Sequence, residues 1–241
     1  MKIILSPSKT QSLVCPLGTC IKPLFNREKT LFLFDTLKAL DEDKLGSLFK
    51  IKGKLLDYTY RLYQSFDVDG SRFDPISCYD GVVYEALGAG NYTSSQRNFL
   101  EEHLVVISAM YGILEGGMGI WPYRLDFKTK PQNINLYEYW QNEILEYFSG
   151  VDTIINLASE EFSLILKPIR YKVVNINFLE VDGRVLSYKV KKARGLMADA
   201  IIKDMLHDVR DLKSLIVDDY VYDESSSDDY NYYYKKGGFL R

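Results

Sequence analysis

The stretch "LVVISAMYGIL", residues 104–114, contains no charged side chain. Its apolar character is continuous rather than alternating. A run of this kind reads as a strand buried on both faces, as in sheets with helices packed on either side. "KIIL" (2–5), which stops at Ser6-Pro7, and "DTIINLAS" (152–159) have the same character. The intervening chain is helical in period. From Glu28 to Asp67 apolar residues recur every three or four positions, broken at Asp41–Asp43 and Gly53, so two or three helices are expected. Thr93-Ser94-Ser95 before "QRNFLEEH" marks an N-capped helix, and "NLYEYWQNEILEYF" marks another. Buried strands alternating with helices define an α/β fold. The expectation is one globular domain over 1–241 of mixed α+β type, a mixed sheet flanked by helices with a helical insertion.

The remaining segments are read from their neighbours. "ISCYDGVVYEAL" (76–87) has strand character. "YKVVNINFLEVDGRVLSYKV" (171–190) reads as a hairpin turned at Asp182-Gly183, a favoured type I′ pair. A helix from about Ala193 to Val209 follows, and then a second hairpin, "DYVYDESSSDDYNYYYKK" (219–236). Residues 12–26, with Cys15, Pro16, Cys20 and Pro23, read as a loop.

Composition narrows the function classes. The chain has 241 residues, 46% hydrophobic and 26% charged, ordinary for a soluble globular protein. Its formal net charge of −3 gives no global attraction to nucleic acid, so any such binding needs a local basic face. The three cysteines imply no disulfide framework. His103 and His207 are the only histidines and lie far apart in sequence, which argues against a zinc site. No charged-then-apolar leader precedes Met1–Leu5, and no apolar run approaches the roughly 18 residues of a membrane span. A cytoplasmic protein without membrane contact is expected.

Several stretches carry candidate chemistry. "SPSKT" (6–10) places Lys9 at a strand end, a common position for sites in α/β sheets. "FKIKGKLLDYTYRLY" (49–63) joins two helices through Lys50, Lys52, Gly53 and Lys54. Over 45–66 this suggests a helix–hairpin–helix, which grips phosphates with backbone amides and Lys or Arg. The usual hairpin carries two glycines two apart, whereas position 55 is Leu, and a basic corner without a ligand reads equally well. "PYRLDF" (122–127) sets Arg124 and Asp126 on one side of an extended segment, to pair with each other or to serve as anion clamp and acid/base. "NLASEEF" (156–162) ends a strand at Ser159 and opens a helix with Glu160 and Glu161; an N-cap and the helix dipole account for all three. No histidine is placed to activate Ser159, which excludes a serine hydrolase. Lastly, Lys191, Lys192 and Arg194 crowd the expected start of a helix, with Gly195 allowing close backbone approach. The positive end of the dipole sits there already, so an anion or folded-over acidic side chains must join them. Lys9, Arg124, Ser159, Glu160 and Lys192/Arg194 are expected to converge in one cleft.

"LSPSKT", "SAMYGIL", "PYRLDF", "INLASEEF", "KKARGLM" and "YVYDESSS" occur in this order, and together they resemble the YaaA family of bacterial peroxide-stress proteins from Lys2 to about Lys236. The resemblance implies a cytoplasmic protein that helps cells survive hydrogen peroxide and limits iron-linked damage. It also implies a single mixed α/β domain with a positively charged cleft, and a helix–hairpin–helix-like element that binds DNA without strong sequence preference. The anion beside the crowded cations would then be a phosphate backbone or a small phosphorylated ligand. Two departures stand out: many members are acidic at Val82 and have Arg-Pro at Glu115-Gly116, and Glu115 is expected to weaken the basic character of the cleft.

The expected activity is therefore binding of double-stranded or structured DNA through Lys50, Lys52, Lys54, Lys191, Lys192 and Arg194, with no cofactor and no metal. An enzyme acting on nucleic acid or a small phosphorylated metabolite is the alternative, with Lys9 and Arg124 holding the anion and Asp126 or Glu160 as acid/base. Direct iron handling is the third, through carboxylates such as Asp223 and Glu224, since the sequence displays no 2-His-1-carboxylate set and no Cys cluster.

Overall fold

The computed structural model describes residues 1–13 and 22–237. Its strands are β1 (Lys2–Leu5), β2 (Thr10–Gln11), β3 (Tyr79–Asp80), β4 (Leu104–Ser108) and β5 (Gly112–Glu115). They continue with β6 (Ile154–Asn156), β7 (Val173–Leu179), β8 (Tyr220–Tyr222) and β9 (Asn231–Lys236). The helices are α1 (Arg27–Lys38), α2 (Glu42–Phe49), α3 (Lys54–Gln64), α4 (Pro75–Cys78) and α5 (Val82–Leu87). They are followed by α6 (Ser94–His103), α7 (Leu136–Tyr147), α8 (Glu160–Ser163) and α9 (Ser187–Lys203). Cys15, Pro16 and Cys20 of the expected 12–26 loop lie outside the described residues.

The sheet has the order β5-β4-β1-β6-β7-β9-β8. Its five inner strands run parallel, and β5 and β8 close the two edges antiparallel. β2 and β3 pair separately. The inner strands β1, β4 and β6 are almost wholly buried, which is why they read as unbroken apolar runs. The fold is mixed α/β, as the alternation of strands and helices predicts. The chain adds β4 on one side of β1 and β6 on the other. That reversal opens a crevice beyond the carboxyl ends of these strands, the usual place for a site in such sheets.

The helices of the 28–67 region form where the breaks in period put them. Asn26 caps α1 and Asp41 caps α2, each through its side chain. Thr93 and Gln96 form a reciprocal capping box on α6. The C-terminal hairpin of β8 and β9 also forms.

Three segments differ from the expectation. "LVVISAMYGIL" is two antiparallel strands rather than one. The hydroxyl of Ser108 accepts from the amides of Met110 (3.2 Å) and Tyr111 (3.3 Å), which turns the chain, and Gly112 continues it at φ +72°. "ISCYDGVVYEAL" is largely helical, in α4 and α5, with only Tyr79–Asp80 as strand. The third difference matters most for function. No hairpin forms at Asp182-Gly183, because β9 occupies the place beside β7 that its second strand would take. The chain instead makes a tight turn and enters α9 at Ser187. From there Val190, Ala193, Met197, Ile201 and Ile202 are buried at helical spacing. Lys191, Lys192 and Arg194 are thus inside a long helix and not at its start. The dipole effect fades beyond the first turn, so it makes no demand for an anion there.

Candidate functional site

Ser6 follows β1 and Ser159 follows the neighbouring β6, so their side chains meet at the carboxyl edge of the sheet. The Ser6 hydroxyl accepts from the Ser159 amide at 2.8 Å, and the two hydroxyls are 3.2 Å apart. Ser159 is the N-cap residue of α8, as expected, but its side chain makes no capping bond and meets Ser6 instead. Tyr84 on α5 donates its hydroxyl to the Ser6 carbonyl at 2.8 Å. Beside them Lys9, Asp80, Val82, Tyr84 and Lys191 help line a cleft of about 340 Å³.

Lys9 reaches across to Asp126, with Nζ 2.6 Å from Oδ2. The ion pair expected within "PYRLDF" therefore joins Asp126 to Lys9 instead of Arg124. Arg124 is held by its main chain. Its amide donates to the Tyr63 hydroxyl at 3.1 Å, and that hydroxyl donates to its carbonyl at 2.5 Å. Glu160 is exposed on the first turn of α8. Glu161 accepts from the Lys128 amide at 3.2 Å and so ties the 122–128 segment to α8.

Behind the cleft lies a buried relay of hydroxyls. Tyr123 Oη is 2.7 Å from Tyr79 Oη and 2.9 Å from Ser108 Oγ. Burial, followed by the neighbouring phenols, holds Tyr79 and Tyr84 well above the ordinary tyrosine range, and burial raises Tyr123. These phenols are neutral and act as hydrogen-bond groups, not bases. Tyr123→Phe is expected to leave both Tyr79 and Ser108 short of a partner and to cost about 1–3 kcal/mol, read as a lower urea midpoint with unchanged m-value. Cys78 is buried nearby, and burial pushes its thiol up to about 12, so it is not a peroxide-reactive thiolate.

Among the residues expected to converge, Lys9 lines this cleft and Lys191 joins it. Asp126 sits one contact away, through Lys9, and Ser159 two, through Ser6 and Tyr84. Arg124, Glu160, Lys192 and Arg194 are not among its lining residues. Lys192 turns toward the C-terminal hairpin, 3.0 Å from Asp218, where Lys236 also approaches at 3.4 Å. Arg194 is partly buried, its Nε has no hydrogen-bond partner among the described residues, and burial lowers its pKa. Gly195 serves packing and not ligand approach, because a Cβ there would lie 2.2 Å from the Val83 carbonyl of α5. Glu115 does not touch the cleft either. The β4–β5 register pairs it with Val105 at the opposite end of the sheet, where it meets Lys2 and Tyr147. Val82, in contrast, is in the cleft wall.

The 50–53 turn joins α2 to α3. Lys50 caps α2 in the left-handed conformation (φ +54°), and Gly53 precedes α3 at φ +59°. Lys50, Lys52, Gly53 and Lys54 are exposed, and none of the three lysines enters an ion pair among the described residues. Tyr63, near the other end of α3, links this unit to Arg124 and hence to the cleft loop. The sequence reading missed Tyr84, Tyr123 and Ser108 as site groups. Tyrosines in apolar stretches look like core, and only the fold shows where their hydroxyls end.

Among the described residues no helix is long and apolar enough to cross a membrane. A family profile described as "Peroxide stress protein YaaA" matches residues 1–226. A UPF0246 protein of Finegoldia magna is 35% identical over 236 residues, covering 95% of each chain. Another, from Rickettsia felis, is 33% identical over 230 residues, covering 89% of this chain and 91% of the relative. A third, from Bordetella avium, is 32% identical over 247 residues, covering 94% and 95%. The match runs through nearly the whole described fold, and the chain belongs to the YaaA family of peroxide stress proteins.

Proposed function

We propose that this protein serves the peroxide-stress response by binding double-stranded or structured DNA through its phosphates, without strong sequence preference, and so limits iron-linked damage. The observation that carries this reading is the 50–54 turn. On a chain of net charge −3, Lys50, Lys52 and Lys54 stand exposed without a carboxylate partner among the described residues. Many other lysines are neutralised by the fold, including Lys9, Lys29, Lys192 and Lys235. Three free cations beside helix α3 are suited to phosphates and carry no base-reading group.

The test is duplex binding across a salt series. Each phosphate contact releases counterion and contributes about 0.9 to the slope of log K against log salt. Lys50→Ala/Lys52→Ala/Lys54→Ala is expected to weaken binding and to reduce that slope by roughly two to three. Lys192→Ala is the control, since its charge is committed to Asp218, and it is expected to change the slope little. An unchanged slope in the triple variant, or salt-insensitive binding by the wild type, would overturn the proposal.

A second reading rests on the cleft, where Lys9 and Lys191 flank a volume large enough for a small phosphorylated ligand and Asp126 is held by Lys9. An enzyme there would lose turnover in Asp126→Asn while duplex binding persists. No turnover by the wild type, with duplex binding intact in Asp126→Asn, would favour the first reading.

A further inference from the structure

The two histidines, distant in sequence, stand side by side. His103 ends α6, His207 follows α9, and their ring centroids are 5.3 Å apart. His103 is only 7% exposed. Its Nδ1 lies 2.8 Å from the carbonyl of Met1. A carbonyl can only accept, so Nδ1 carries a proton, and in the neutral ring Nε2 presents a lone pair. That Nε2 is buried and has no hydrogen-bond partner among the described residues. The Glu102 carboxylate is 3.9 Å from it, and its side chain is 75% exposed.

A backbone carbonyl on one ring nitrogen and a free lone pair on the other is the usual setting of a metal-ligating histidine. The spacing fits as well. With metal–nitrogen bonds of about 2.0–2.1 Å, two imidazoles on one tetrahedral ion have centroids roughly 5 Å apart. The site also lies at the C-terminal end of α6, where the helix dipole favours a cation. Phe99 packs on both rings, at 4.1 Å and 5.2 Å, but packing alone would be met by any aromatic ring and leaves the lone pair unexplained.

We propose that His103 Nε2 and His207, with Glu102 as third donor, bind a divalent transition-metal ion of the kind that imidazole prefers, such as Zn²⁺. Among the described residues no three-donor group is already assembled. The exposed His207 and Glu102 side chains therefore close on the ion, and water completes its coordination. The inference is independent of the DNA reading, since it uses neither the 50–54 turn nor the cleft.

The test is calorimetric titration of the full chain with Zn²⁺, backed by the visible absorption of bound Co²⁺. One ion per chain is expected. His207→Ala is expected to weaken binding roughly tenfold or more and to change the thermal unfolding of the metal-free protein little, because His207 is exposed. Glu102→Gln should weaken it by a smaller factor. Absence of saturable binding, or affinity unaltered in His207→Ala, would overturn the proposal. His103→Gln is the less useful variant, as it also removes the tether to Met1.

Discussion

Gly195→Ala is expected to destabilise the protein by roughly 2–3 kcal/mol and to lower its melting temperature by about 4–12 °C. The sign is the informative part. A glycine inside a helix ordinarily costs about 1 kcal/mol relative to alanine. If Gly195 faced a ligand or open solvent, as its place among the cations suggests, alanine would stabilise the protein. In the fold its missing side chain is the contact between α9 and α5. An alanine Cβ would stand 2.2 Å from the Val83 carbonyl and 2.7 Å from the Ala86 Cβ. The first of these is backbone and cannot rotate away, so the two helices must separate. Since α5 also carries Val82 and Tyr84 into the cleft, the displacement would reach the site. A stabilised or unaltered Gly195→Ala variant in thermal denaturation would show that α9 and α5 are not packed this way.

The fold class was legible because its signal is local. Ile3, Ile4 and Leu5, or Ile154 and Ile155, have neighbours on both faces and so contain nothing polar. The helices of 28–67 were legible through their breaks, because Asp41 is a cap. What stayed hidden depended on partners far along the chain. Asp182-Gly183 is good hairpin chemistry, yet the place beside β7 goes to β9, which is some fifty residues away and brings its own tyrosines to the core. Local turn preference lost to a longer-range strand pairing. In "SAMYGIL" the turn is made by one serine hydroxyl within an otherwise apolar run, and hydrophobic period does not register it.

The site was legible to the same extent. The stretches "SPSKT" and "NLASEEF" do end adjacent strands, so Ser6 and Ser159 meet. The pairing of Asp126 with Lys9, and of Lys192 with Asp218, could not be read from spacing, because charges choose partners in three dimensions. Glu115 illustrates the same limit. Its nearness to "SAMYGIL" suggested the cleft, but one reversal of the chain carries it to the far end of the sheet. The histidine pair is a further case, since sequence distance concealed a contact between rings.

Trp140→Ala is expected to cost about 3–5 kcal/mol, and with 2–4 °C per kcal/mol at this chain size the melting temperature should fall by about 6–20 °C. Trp140 is fully buried on α7. Its indole N–H donates to the Ala109 carbonyl at 2.8 Å, in the turn that separates β4 from β5. Its ring fills the space left by Gly112, where a Cβ would approach it to 2.8 Å. Removing the indole thus opens a cavity and strips a buried carbonyl of its donor in one step. Trp140→Phe keeps much of the volume and loses only the donor, so a smaller loss is expected, about 1–3 kcal/mol. The turn begins at Ser108, whose hydroxyl both fixes the Met110 and Tyr111 amides and meets Tyr123 behind the cleft. Hydrogen exchange at those two amides should therefore accelerate in Trp140→Ala, well below its melting temperature, and much less in Trp140→Phe. If stability falls while these amides stay protected, Trp140 contributes only bulk burial, and the turn that supports the site is held by Ser108 alone.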